Sequence, residues 1–200
     1  TVPKPKKVTI NLALQGGGAH GAFTWGVLDH LLENDFISFG WVSGTSAGAV
    51  NAAALAYGLA TGDRAHARAV LAAVWKAIEK AQPPDLTSIN PFMSKALASM
   101  AGMVSPYDFN PLGIDPLRKL LAEAIDFEVL RKSSPVELLI AATDVATGRP
   151  RLFRSADMKV EVILASACLP TVHHAVEIDG RHYWDGGFSA NPDLVTLATE

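Results

Sequence analysis

The sequence predicts an α/β fold built on a largely parallel central sheet, and three patterns predict it. "KVTINLAL", Lys7 to Leu14, is β-branched and apolar and runs straight into glycines, as a buried parallel strand does. A second apolar run, "ISFGWVSG", again leads through a tight turn into a helix-forming stretch, so strand, turn and helix occur twice in succession. Strand signals then return in "VELLIAATDV", "RLFR" and "AVEIDGRHYW" after a mainly helical interval.

Between the first two strands, "AHGAFTWGVLDHLLEND" places Phe23, Val27, Leu28, Leu31 and Leu32 at helical spacing. After the second strand comes "AVNAAALAYGLA", Ala49 to Ala60, which is shorter than the roughly 20 residues of a spanning helix. It is also interrupted by Asn51 and Gly58, and so reads as a buried core helix. Residues 62–132 form a mostly helical, insertion-like region, clearest in "DRAHARAVLAAVWKAIEKA" and "DPLRKLLAEAI", with Pro83, Pro84, Pro91, Pro106, Pro111 and Pro116 as breaks. Asp179-Gly180, between two alternating runs, marks a tight hairpin. The final "DLVTLATE" opens a helix that reaches Glu200 without a capping glycine, so a single domain over 1–200, truncated at its C-terminus, is expected.

Composition removes several classes. A chain of 200 residues, 49% hydrophobic and 18% charged, buries one sizeable core and is not a disordered segment. A formal net charge of -3 leaves no basic footprint, which argues against a dedicated nucleic-acid partner; Lys4, Lys6 and Lys7 read as a solvated arm. The one cysteine, Cys168, cannot close an intrachain disulfide, and no Cys/His cluster has zinc-site spacing. No signal-peptide pattern precedes the first strand, although the sequence starts at Thr1. A cytoplasmic or peripheral-membrane location is expected, with secretion left open by a leader that this sequence would not contain.

The first candidate site is "LQGGGAHGAF", whose glycines at 16, 18 and 21 satisfy G-x-G-x-x-G. A dinucleotide site would also need an acidic residue closing the second strand. That strand ends in "WVSGTS" with none, so the nucleotide expectation loses its partner. Glycines between a strand and a helix can instead expose successive backbone N–H groups to an oxyanion, whether a phosphate or the tetrahedral intermediate of acyl transfer.

The second is Gly44-Thr45-Ser46-Ala47-Gly48, a G-x-S-x-G nucleophile elbow between a strand and a helix. Its competing explanation is Ser46 as a simple helix N-cap. A base for Ser46 has four candidates. His173, His174 and His182 would suit a Ser-His-acid esterase, though none stands at a loop end after an acid. Asp185, in "WDGGF", leaves the end of a strand where Gly186-Gly187 turn the chain away. With a reference pKa of about 3.9, a carboxylate serves as base only if it lies close to the hydroxyl and is shielded from water.

"GGGAHGA", "GTSAG" and "DGG", in this order, resemble the patatin-like phospholipase family. Weaker agreements are "ASACLP" (Ala165 to Pro170), "ATDVATGRPRLF" (Ala142 to Phe153) and Asn191-Pro192. The resemblance spans nearly the whole chain. It implies a three-layer α/β/α fold and a lipid acyl hydrolase working through a Ser46-Asp185 dyad and an acyl-enzyme, without cofactor or metal. It further implies an oxyanion hole from the N–H groups of Gly16, Gly17, Gly18 and Ala47, with Gly21, Gly44, Gly48, Gly186 and Gly187 supporting the turns. A phospholipid or other acyl lipid, met in transient contact with a membrane surface, is the implied partner. The Met-rich stretch Asn90 to Leu112 is expected to offer an adaptable surface to acyl chains. A noncatalytic lipid-binding module on the same fold is the alternative from another class.

Overall fold

The computed structural model describes residues 6–81, 116–170 and 173–200, so the Asn90–Leu112 expectation lies outside the described residues. The predicted strands form β1 (Val8–Leu14), β2 (Ile37–Thr45), β3 (Glu137–Asp144), β4 (Pro150–Arg154), β5 (Val176–Ile178) and β6 (Arg181–Asp185) of one mixed sheet. The three longest, β1, β2 and β3, run parallel to one another, while β4, β5 and β6 join antiparallel. The β5–β6 hairpin turns at Asp179-Gly180, where both residues hold positive φ.

The pairing of β3 sets the geometry of the site. Leu139 to Ala141 pair with β2 and with β4, so those two strands lie on opposite edges of β3. Ala142 and Thr143 pair with β4 and with β6, which places β6 opposite β4 as well. It follows that β2 and β6 share one edge of β3 and meet there end to end. Their C-terminal residues are neighbours, with Thr45 opposite Ala141 and Asp185 opposite Ala142.

Helices cover the sheet. One cluster comprises α1 (Gly21–Leu32), α2 (Ala47–Thr61), α3 (Arg64–Ala81), α4 (Pro116–Ala124), α5 (Phe127–Ser133) and α6 (Val160–Ser166). α2 is buried along almost its whole length, and its small side chains let α3 come close: a Cβ on Gly58 would stand 2.5 Å from Ala67 Cα. In α1 the predicted spacing gives one helix, but only Leu28 and Leu32 are fully buried and Phe23 is 78% exposed.

Alternation along β2 shows that both sheet faces are occupied. Val42 enters the core and Gly44 meets Gly48 and Ala49 of α2. Ser43 and Thr45 point the other way and donate to the carbonyls of Asp193 and Ala190, beside the short α7 (Leu194–Leu197). The described parts of 62–132 are α3, α4 and α5.

Arg64, at the start of α3, was not singled out by any sequence pattern. Its guanidinium donates to the carbonyls of Leu31, Leu32, Asn34 and Ile37, each at 2.8–2.9 Å, capping the open C-terminal carbonyls of α1 and fixing the turn into β2. Arg64→Ala should lower the unfolding free energy by about 2 kcal/mol. Arg64→Lys should recover only part of that, because an ammonium lacks the planar fork. Urea denaturation of the three proteins checks both statements.

Candidate active site

Ser46 is the first residue after β2, at the seam where β2 and β6 meet. Its backbone, at φ 55 and ψ -122, lies in a region that costs a non-glycine residue roughly 1–3 kcal/mol. That turn throws the side chain out of the sheet. Ser46 stands at the N-cap position of α2 but makes no side-chain cap bond, so capping does not occupy its hydroxyl. The turn is held by its main chain: Ser46 O accepts from Ala49 and Val50 N–H, and Ser46 N–H donates to Ser166 Oγ at 2.9 Å. Ser166, fully buried at the end of α6, donates in turn to Ala141 O at 2.6 Å.

Gly48 packs where a Cβ would overlap the Leu14 carbonyl, and only glycine brings α2 so near the end of β1. Gly186 meets the same limit, since a Cβ there would overlap the carbonyl oxygen of Ala141 in the β2–β6 seam. Gly44 lies on β2 against Gly48, and Gly21 begins α1 against Ala47 and Trp75.

Asp185 ends β6 and is 4% exposed. Its N–H donates to Cys168 O at 2.8 Å, and its Oδ1 accepts from Gly187 N–H at 2.7 Å. Its Oδ2 has no hydrogen-bond partner among the described residues. Asp185 is thus shielded from bulk water, and it lines the same cavity as Ser46.

The glycine loop follows β1. Gly17 and Gly18 have positive φ of 153 and 56, and their N–H groups find no acceptor among the described residues. Gly16 N–H is already engaged, donating to Asn191 Oδ1 at 2.6 Å. Gly16 also lies close to Ser46, for a Cβ on it would lie 2.8 Å from Ser46 Cβ.

A cavity of about 540 Å³ joins these parts. Of the residues expected from sequence, Gly16, Gly17, Gly18, Ser46, Ala47, Asp185 and Gly187 line it. Gly21, Gly44, Gly48 and Gly186 lie outside it and act through backbone packing. Val50, Trp75, Ile78, Leu117 and Leu169 give the cavity an apolar wall. Among the described residues no histidine lines it: His182 sits on β6 with a half-exposed ring 3.9 Å from Glu177, and His173 and His174 lie in the segment before β5. No group of three or more His, Cys, Asp or Glu among the described residues is placed to hold a metal, and no described helix is long and apolar enough to cross a membrane.

Two site residues escaped the sequence patterns. Ser166 and Asn191 fall inside "ASACLP" and before Pro192, stretches noticed only as agreements, and nothing local reveals what a hydroxyl or amide will meet 120 or 175 residues away. Ser166→Ala removes the acceptor for Ser46 N–H and a buried donor to Ala141. The variant should lose about 1–3 kcal/mol of stability, read by urea denaturation.

A family model described as patatin-like phospholipase matches residues 12–198. No match is found among curated proteins. Among solved structures, the crystal structure of VipD from Legionella pneumophila is similar at TM-score 0.52 and 19% identity, covering 88% of this chain and 45% of that one. The crystal structure of the type III effector protein ExoU matches at TM-score 0.37 and 20% identity, covering 84% of this chain and 41% of that one. The chain therefore spans less than half the length of either, and the likeness to VipD is one of fold. The match over 12–198 assigns the chain to a family: it belongs to the patatin-like phospholipases.

Proposed function

We propose that the protein is a lipid acyl hydrolase using Ser46 as nucleophile and Asp185 as its base. The observation that carries this is the meeting, in one cavity, of a strained serine with an uncommitted hydroxyl, a buried aspartate and a glycine loop with free N–H groups. Ser46 Oγ attacks the ester carbonyl carbon while its proton passes to Asp185. The negative charge that develops on the carbonyl oxygen is met by the N–H groups of Gly17 and Gly18 and of Ala47 at the start of α2, the Gly16 N–H being taken by Asn191. Collapse expels the alcohol, which takes the proton from Asp185 and leaves an acyl-Ser46 ester. Water then attacks this ester with Asp185 as general base, releasing the fatty acid and restoring Ser46.

Family membership and the apolar wall of Val50, Trp75, Ile78, Leu117 and Leu169 support an acyl lipid as substrate. Leu169 on the cavity and Phe188 next to Gly187 are 46% and 62% exposed, which suits transient contact with a membrane surface. The absence of any histidine from the cavity among the described residues favours the dyad over a Ser-His-acid triad.

A fluorophosphonate probe should label the unmodified protein and not Ser46→Ala, and hydrolysis of phospholipid vesicles should fall roughly a thousandfold or more in Ser46→Ala and Asp185→Asn. His182→Ala should retain full turnover; its inactivation would favour the triad. Vesicle binding without turnover by the unmodified protein would favour the noncatalytic module. Phe188→Asp should weaken vesicle co-sedimentation while leaving hydrolysis of a small soluble ester intact.

A further inference from the structure

After Asp185 the chain turns back across the sheet ends, and each step is tied to a different part of the site. Ser189 Oγ pairs with Thr143 Oγ1 of β3 at 2.7 Å, Thr45 Oγ1 donates to Ala190 O at 2.8 Å, and Ser43 Oγ donates to Asp193 O at 3.2 Å. Those three ties reach strands already held by a ladder. The fourth does not: Gly16 N–H donates to Asn191 Oδ1 at 2.6 Å, and Gly16 has left β1 and entered a run of glycines.

That run is where conformational freedom is greatest, because glycine populates positive and negative φ with similar ease. Gly17 and Gly18 follow with positive φ and N–H groups lacking acceptors among the described residues; the Gly17 carbonyl accepts from His20 N–H at 3.1 Å, which holds the Gly17–Gly18 peptide, while the peptide before Gly17 depends on how Gly16 is fixed. Gly16 is held on two sides. A Cβ there would stand 2.8 Å from Ser46 Cβ and 3.2 Å from Asn191 Oδ1. The start of the loop is thus tied beside Ser46 by a side-chain amide. Because Gly16 N–H is a donor, the amide oxygen must face it, and the Gly16 N–H is thereby withdrawn from the set that can meet an oxyanion.

We propose that Asn191 is a positioning residue of the oxyanion loop, fixing Gly16 through Oδ1 so that, with the Gly17 carbonyl held by His20, the Gly17 and Gly18 N–H groups stand aimed at the reacting carbonyl oxygen before substrate arrives. The role rests on the hydrolase reading given above, while the tie itself does not. Oxyanion donors act only in the transition state, so loss of their aim lowers kcat rather than weakening substrate binding.

The test combines kinetics with the amide resonance of Gly16 in ¹⁵N-labelled full chain. In Asn191→Ala, kcat on a soluble ester should fall about tenfold or more with KM within about twofold, and the Gly16 amide proton should move upfield as its short hydrogen bond is lost. Asn191→Asp keeps an acceptor and should keep the downfield amide. Asn191→Ser, too short to span the gap, carries the alanine expectation if the alanine variant does not fold. An unchanged Gly16 amide or an unchanged kcat in Asn191→Ala overturns the proposal. Absence of turnover in the unmodified protein would sink the hydrolase reading alone, since the amide shift still decides whether Asn191 holds the loop.

Discussion

A strand edge carries a single row of backbone donors and acceptors, and on one edge of β3 that row is divided between β2 and β6. Two strands arriving from opposite directions can share an edge only if both stop, and where they stop the chain must leave the sheet. β2 stops at Thr45 and leaves through Ser46; β6 stops at Asp185 and leaves through Gly186. The residues that carry the proposed chemistry are therefore the ones at the seam. Gly186 fits there because a side chain would overlap the Ala141 carbonyl, so the crowding that forces the chain out also fixes how closely the two ends approach.

Leaving a sheet this abruptly puts Ser46 in an unfavourable backbone conformation, and neighbouring hydrogen bonds offset the strain. The bonds that do so use its N–H and C=O and not its hydroxyl. Ser166 links Ser46 N–H to Ala141 O, so the turn at Ser46 is fastened to the strand edge from which Asp185 also departs. A turn fastened through its backbone leaves the side chain free for reaction while its position stays fixed, which is the arrangement nucleophilic catalysis requires.

The polar and apolar halves of the cavity have different origins. Its polar groups come from the ends of β1, β2 and β6, and its apolar wall comes from α2, α3, α4 and the segment after α6. Few convergent polar groups set in an apolar concavity is the usual composition of a small-molecule site. For the proposed reaction it separates the tasks, with an ester group at the strand ends and an acyl chain along the helices. Leu169, on the cavity, is itself 46% exposed.

The main elements and the candidate residues of the site were legible in the sequence. Local rules suffice for these: alternation and β-branching for the strands, alanine content for the buried α2, Asp179-Gly180 for the hairpin, and three ordered glycine motifs for Ser46, Asp185 and the loop at Gly16. Helical spacing gave α1 but not its burial, because periodicity shows which residues share a face and not whether another element covers it; Phe23 is exposed. The folded chain settles that the Ser46 hydroxyl does not cap α2, that Gly16 N–H belongs to Asn191, that Ser166 braces the turn at Ser46 and that Arg64 closes α1. Each of these depends on a hydrogen bond between residues far apart in the chain. A polar side chain's partner is set by which strand ends the fold brings together, and no local pattern encodes that.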